Sequence, residues 1–339
     1  MRRFMKGLRK NKLLLKYFIA VAWFLMSALF GVLLGSTRVS LFAVLEALAR
    51  GDISDPDVRI LLYVRLPRVV AALVCGAALA VSGAVIQGVL SNKLASPSII
   101  GVNSGAGLAV TACAALGVVG GWRLSLFSFV GALLAVLLVS LGAKKWGVSR
   151  GTVILMGVAL NALLGAISDT IVTLSPEVGV LSNDFRVGDF SAVTYARVLP
   201  AAAVIFISIA VLMTLSNELD VLTLGDENAR GLGMNTGAVR VVLLTLAALL
   251  AGAAVSVCGL LSFVGLLVPH AVRRVATSAT KHLIPLCALF GGGFVTLCDT
   301  LARIVFAPYE LPVGIIMAFL GAPFFVFILI RGKGGHRHA

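Results

Sequence analysis

The stretch VVLLTLAALLAGAAVSVCGLLSFVGLLVPHAV, residues 241–272, runs for 32 residues without Asp, Glu, Lys or Arg. As a single α-helix it would be about 48 Å long at 1.5 Å per residue, well beyond a hydrocarbon core of about 30 Å. It contains Gly259 and, near its end, Pro269. Broken near Gly259, it becomes two membrane passes, the second short. Arg240 before it and Arg273 and Arg274 after it then lie on one side of the membrane.

Eight further apolar runs stand outside this one: 17–35, 69–92, 94–122, 124–143, 151–174, 198–217, 283–302 and 311–330. With the break, the sequence predicts an all-α integral membrane protein of about ten transmembrane helices. An even number puts both basic ends on one side, the cytoplasm by the positive-inside bias. The organisation expected is a basic cytoplasmic N-terminus at 1–16, a transmembrane domain at 17–331 and a basic cytoplasmic tail at 332–339. The apolar run after MRRFMKGLRKNKLLLK reads as a retained first helix, since it is long for a signal-peptide core and lacks a clear cleavage site.

Composition agrees. The 339-residue chain is 60% hydrophobic and 12% charged, against roughly 45–50% and about 25% in soluble domains. The net charge of +14 is assigned to cytoplasmic loops held by anionic membrane lipids, with no nucleic acid as partner. Cys75, Cys113, Cys258, Cys287 and Cys298 all lie in apolar runs without a C-x-x-C and read as small buried hydrophobes.

This topology puts 36–65, 175–192 and 303–310 outside, and 91–97, 144–150, 216–238, 270–282 and 331–339 inside. Every lysine falls inside, and the positive charges outside are all arginine. Arginine is the side chain suited to bidentate carboxylate pairing. GAALAVSG at 76–83 and GAAVSVCG at 252–259 agree at five of eight positions, each after an Arg-Val-Val. They would run in opposite directions, as in the inverted repeats of transporters.

The stretch 222–234, LTLGDENARGLGM, lies in the only acidic inside loop, which carries Glu218, Asp220, Asp226 and Glu227. Asp226 could cap a short helix that Gly231 and Gly233 end. The loop is either a solvated surface helix or a helix presented to a cytoplasmic protein. Outside, Arg65 and Arg68 either snorkel to headgroups or await carboxylates. Asp299 and Arg303 are four apart and share a helix face, as an internal ion pair or as an external site in which Asp299 positions Arg303. Tight inner turns at Asn92-Lys93-Leu94 and Arg150-Gly151-Thr152 are connectors or an inner gate. Asp169 is either an intramembrane acid or a hydrated residue near its helix end. The sequence contains no metal-ligand cluster, no catalytic constellation and no G-x-x-x-x-G-K-[ST], so neither catalysis nor a metal or other cofactor is expected in this chain.

Four stretches together carry a resemblance: RLPRVVAALVCGAALAVSGAVIQGVLSNKLASPSIIGVNSGAG (65–107), TLGDENARGLGM (223–234), LLSFVGLLVPHAVRR (260–274) and YELPVGIIMAFLGAPFF (309–325), with DTLAR (299–303) before the last. They resemble permease subunits of bacterial ABC importers for iron–siderophore complexes, haem and vitamin B12. The resemblance implies ten spans in a type II importer permease fold with an inverted-repeat arrangement. It implies a second permease, as homodimer or heterodimer, in the bacterial cytoplasmic membrane. It also implies cytoplasmic ATPase subunits that bind ATP-Mg, and an extracytoplasmic substrate-binding protein. The loop 216–238 then corresponds to the coupling loop, with Leu224, Gly225, Asp226, Glu227, Ala229, Arg230, Gly231, Leu232 and Gly233 toward the ATPase. Arg65, Arg68 and Arg303 would receive glutamates of the binding protein, with Asp299 in support. Asn92, Leu94 and Thr152 fall at the family's cytoplasmic gate.

Two departures stand out. Asn92-Lys93-Leu94-Ala95 replaces the usual Asn-Pro-Leu-Ala. FRVGDFSAVTYARV, with Phe185 and Gly188, replaces a Trp-x-x-Gly-Ser stretch. The alternative class is an ion-coupled secondary transporter, for which Asp169 and Asp299 are the candidate ion sites.

Overall fold

The computed structural model describes residues 2–332 except 38, 41–43, 45, 48, 119 and 147–148, without the side chains of 2–12 and 327–332. The remainder of the expected basic tail, 333–339, lies outside the described residues. Those described form helices and connecting turns, with no strand among them.

The long run at 241–272 does break at Gly259. Helix α11 (Thr236–Cys258) stops where Gly259 turns to φ +71°, and α12 (Val264–Val275) begins after Phe263 at φ +68°. A break at membrane depth exposes backbone groups that must find partners. Here the chain around Gly188 supplies them. Leu260 N donates to Phe185 O at 2.9 Å, and Asp189 N donates to Cys258 O at 2.9 Å. A Cβ on Gly259 would meet Phe185 O at 2.5 Å, so the contact requires glycine.

The other helices, in chain order, are α1 (Arg2–Leu33), α2 (Pro56–Ile60) and, beyond a π-helical turn at Leu61–Arg65, α3 (Leu66–Val89). Then come α4 (Val102–Ala115), α5 (Gly121–Lys145), α6 (Arg150–Leu174), α7 (Pro176–Val187) and α8 (Tyr195–Thr214). The short α9 (Ser216–Thr223) and α10 (Asp226–Gly231) precede α11, and α13 (Thr280–Ile304) and α14 (Val313–Gly332) follow α12. Seven of the described helices are long and apolar enough to cross a membrane. Helices α4, α12 and α14 fill the remaining three positions of the ten-helix reading. Helix α4 is much shorter than the run at 94–122 suggested. Pro97 and Gly101, at φ +102°, keep its first residues out of the helix, and 14 residues reach only about 21 Å.

Helix α3 is the centre, with α11 and α13 against it. Most of α3 and α11 is buried, whereas in α6 only Val153, Gly157 and Ser168 are. The two helices that carry the echoing segments lie side by side: Ser82 Oγ donates to Ala247 O at 2.7 Å, and Cys75 Sγ lies 3.7 Å from Ala254 O. Numbers rise along α3 as they fall along α11, so the two helices are antiparallel, as the echo predicts. All five cysteines are buried and unpaired.

Small residues set the spacing at α3. A Cβ on Gly83 would sit 1.9 Å from Gly265 O of α12, and one on Gly76 would sit 2.4 Å from Gly291 O of α13. Gly83→Ala is therefore expected to lower stability by at least about 3 kcal/mol, at the upper end for overpacking. Gly107→Ala, whose Cβ would touch only Leu260 at 3.9 Å, should unfold close to wild type. Thermal unfolding of both variants in detergent checks this, and equal midpoints would contradict the backbone-on-backbone crossing.

Candidate functional site: two charged clusters at opposite ends of the bundle

At one end of the bundle, the π-turn and the start of α3 bring Arg65 and Arg68 inward. Arg65 is 4% exposed and donates to Val32 O, Leu33 O and Thr37 O at 3.0, 2.9 and 2.6 Å. It thereby satisfies the carbonyls left open at the end of α1. Arg68 donates through Nε to both oxygens of Asp299, at 3.0 and 3.1 Å, and through Nη1 to Glu310 at 2.6 Å. Arg303 Nε lies 3.2 Å from Asp299 Oδ2, and its Nη2 donates to Gly31 O at 2.9 Å.

Three of the four predicted residues, Arg68, Asp299 and Arg303, thus share one buried network, while Arg65 is spent on backbone carbonyls, and none is a free guanidinium group. Two acids missed from the sequence join it. Glu310 bonds Arg68 and also accepts from Ser36 Oγ at 2.6 Å, while Asp189 lies 3.9 Å from Arg68. Burial disfavours charge on Glu310, but Ser36 and Arg68 outweigh it and hold the carboxyl below its usual range. A Glu just before α14 was visible in the sequence, but nothing local linked it to Arg68.

At the opposite end of the bundle, α9 and α10 form a hairpin joined at Gly225, φ +109°. Asp226 makes no helix cap, contrary to the capping role its position suggested. Its carboxylate instead takes Arg150 Nη2 at 2.6 Å and Arg240 Nη2 at 2.9 and 2.7 Å. Burial opposes its charge, but these hydrogen bonds prevail and depress its pKa. The helix does end at Gly231, with Gly233 at φ +81°.

The hairpin has two faces. Ala229 is fully buried, whereas Leu224, Glu227, Arg230 and Leu232 are exposed, the two leucines by 60% and 68%. Asp220 of α9 accepts from Thr280 N at 3.1 Å, holding the first turn of α13.

The turn residues meet beside this hairpin. Asn92 Oδ1 accepts from Leu94 N at 2.9 Å, and Ser149 Oγ caps α6 through Thr152 N at 3.3 Å. Arg150 joins the two turns by reaching Ser91 Oγ. Asp169 is 73% exposed and pairs with Arg186 at 3.1 Å, and Asp299 is shared by two arginines. Neither offers an unoccupied intramembrane carboxylate. Among the described residues, no three His, Cys, Asp or Glu side chains gather as a metal site.

Residues 23–331 match the FecCD transport family. The chain is 34% identical to the Fe(3+)-citrate import system permease protein YfmD of Bacillus subtilis, covering 96% of this chain and 97% of that one. It is 34% identical to the hemin transport system permease protein HmuU of Yersinia pestis, over 91% and 95% of the two chains. A metal-chelate type ABC transporter solved in an inward-facing conformation superposes with a TM-score of 0.82 at 26% identity, covering 93% of this chain and 98% of that one. A family match over nearly the whole helical bundle, with relatives of the same length, leaves one assignment: the chain belongs to the FecCD transport family.

Proposed function

We propose that this chain is the translocation subunit of an ABC importer in a bacterial cytoplasmic membrane. It would carry a ferric siderophore, or alternatively haem or cobalamin, from an external binding protein into the cytoplasm. A partner ATPase binding ATP-Mg drives the cycle. A second permease, the same chain or a relative, completes the path, and the thinly buried α6 offers an apolar face for it. Both termini are cytoplasmic.

One observation carries this reading. The hairpin α9–α10 turns exposed Leu224, Glu227 and Leu232 away from the bundle, while its inner side is bolted to α6, α11 and α13. Such a surface passes a partner's movement into the membrane helices. Helix α13 extends from Asp220 at its start to Asp299 and Arg303 near its other end, about 37 Å for 25 residues. Movement at the hairpin is thus carried to the outer network. Each state must be favoured by its own contacts. Outside, a carboxylate of the binding protein takes the place of Glu310 on Arg68. At the inner face, Asn92, Leu94 and Thr152 form the gate.

Isolation of the chain from its native membrane in mild detergent tests the class. An ATPase subunit at near one-to-one is expected. Recovery alone, with uptake driven by an ion gradient, would overturn the reading. Glu227→Ala with Arg230→Ala should reduce ATPase co-purification at least about tenfold, the scale of losing one or two charged contacts. Asp226→Asn should loosen the hairpin by about 2 kcal/mol, read as faster amide exchange over 224–233 with α3 unchanged. Because the folded pKa of Asp226 is depressed, its contribution is complete above the unfolded value of about 3.9. It is lost as pH falls through the lower folded value. Arg68→Gln should weaken docking of the binding protein, whereas Glu310→Gln, which frees Arg68, should tighten it. Equal affinities in the two variants would remove the docking role.

A further inference from the structure

A cleft of about 270 Å³ opens at the cytoplasmic face between the end of α5, the hairpin and the start of α11. Three cations from three elements line it: Lys144, Arg230 and Arg240. Asp226 is the one acid in the lining, and both of its oxygens are already taken by arginines. It does not neutralise what remains. Lys144 has no ion pair or hydrogen bond among the described residues, and the only acceptor of Arg230 is Thr236 Oγ1, at 3.3 Å from its Nε. Arg240 Nε is buried with no hydrogen-bond partner among the described residues. A buried cationic donor without an acceptor is costly.

The remaining lining is suited to an oxyanion. Ser149 and Thr236 contribute hydroxyls. Thr236 and Gly237 open the 23-residue α11, so that helix presents its positive end there. We propose that this cleft binds a phosphate group, held between Lys144, Arg230 and Arg240. The proposal is independent of what the chain transports.

Two features favour a phospholipid headgroup as the source. Helix α5 ends in Lys144, Lys145 and Trp146, the last 68% exposed, which is the cation-and-aromatic pattern of a membrane interface. The cleft floor is apolar, with Val241 and Leu244, so glycerol and the first methylenes can follow the phosphate inward. A phosphate bound here joins α5, α10 and α11. It adds a second tie beside the one that Asp226 makes to Arg240.

The test uses the full chain with whatever subunits co-purify, stripped of lipid in detergent. Phosphatidylglycerol, phosphate-free diacylglycerol and inorganic phosphate are added separately. Retention is read by native mass spectrometry and stabilisation by thermal unfolding. Phosphatidylglycerol is expected to be retained at one per chain and to raise the midpoint, while diacylglycerol does neither. Lys144→Gln with Arg230→Gln should cut retention at least about tenfold, the scale of losing two charge-assisted contacts. Lys144→Arg should keep it, which separates lost charge from misfolding. Stabilisation by inorganic phosphate, with the same dependence on Lys144 and Arg230, supports the site with a soluble source. Unchanged retention in the double variant overturns the proposal. So does an equal loss in Lys145→Gln, which would report general surface charge rather than this cleft.

Discussion

Helix α3 touches two neighbours backbone to backbone, and the rest of the bundle is arranged around that closeness. At Gly83 and Gly76 there is no room for a methyl group against α12 and α13. Small residues permit this approach, and in lipid, packing of this kind drives helix association. It also fixes where the polar groups of α3 arrive. At its first turn, Arg68 comes over Asp299 of α13. Near its other end, Gln87 donates to Gly265 O at 3.1 Å and accepts from Arg273 of α12. At Gly88 the helix meets Leu219 of the hairpin. One helix thus registers the Asp299 network, the short α12 and the hairpin at once.

Asp299 shows why this register cannot drift. It is fully buried, and a buried carboxylate is tolerable only when paired and hydrogen-bonded. Its partners come from α3 and from one turn along α13. Separating the two helices takes Arg68 from Asp299 and leaves that buried carboxylate with Arg303 alone. Glu310 adds the segment entering α14 to the same cluster. At the opposite end of α13, Asp220 holds the first turn. Helix α13 is thereby held at both ends by side chains from other parts of the chain, Asp220 at its start and Arg68 near its finish.

Much of this was legible in the sequence. A 32-residue uncharged run is too long for one pass, and Gly259 marks where it breaks. Asp299 and Arg303 follow from helical spacing. The run at 94–122 reads as one span because it carries no acid or lysine before Arg123, although Ser96, Pro97, Ser98 and Gly101 hold the turn that shortens α4. Long-range charge pairing was also hidden. Arg68 and Asp299 are separated by 231 residues, Arg68 and Glu310 by 242, and Arg150 and Asp226 by 76. Hydrophobic periodicity places such residues on a face or at an end but does not say which charge meets which. The capping role expected of Asp226 failed for that reason: two distant arginines compete for the carboxylate and win.

The arginines that the sequence placed outside have structural tasks that need no partner. Arg65 reaches two carbonyls at the end of α1 and that of Thr37 just beyond it, and Arg197 reaches Ser256 O at 3.1 Å and Val257 O at 3.4 Å at the end of α11. Arg68 spans two carboxylates, and Arg303 spans a carboxylate and a carbonyl. Each task needs several donors in a fixed planar fork, which an ammonium on a flexible stem does not offer. Lysine at these positions would keep the charge and leave buried acceptors unfilled. Arginine at these helix ends therefore closes helices and bridges acids within the chain itself. Under the proposed docking, a surface built on such residues would inherit their rigidity: an incoming carboxylate would meet a guanidinium already held in place, and only the partner it displaces would have to move.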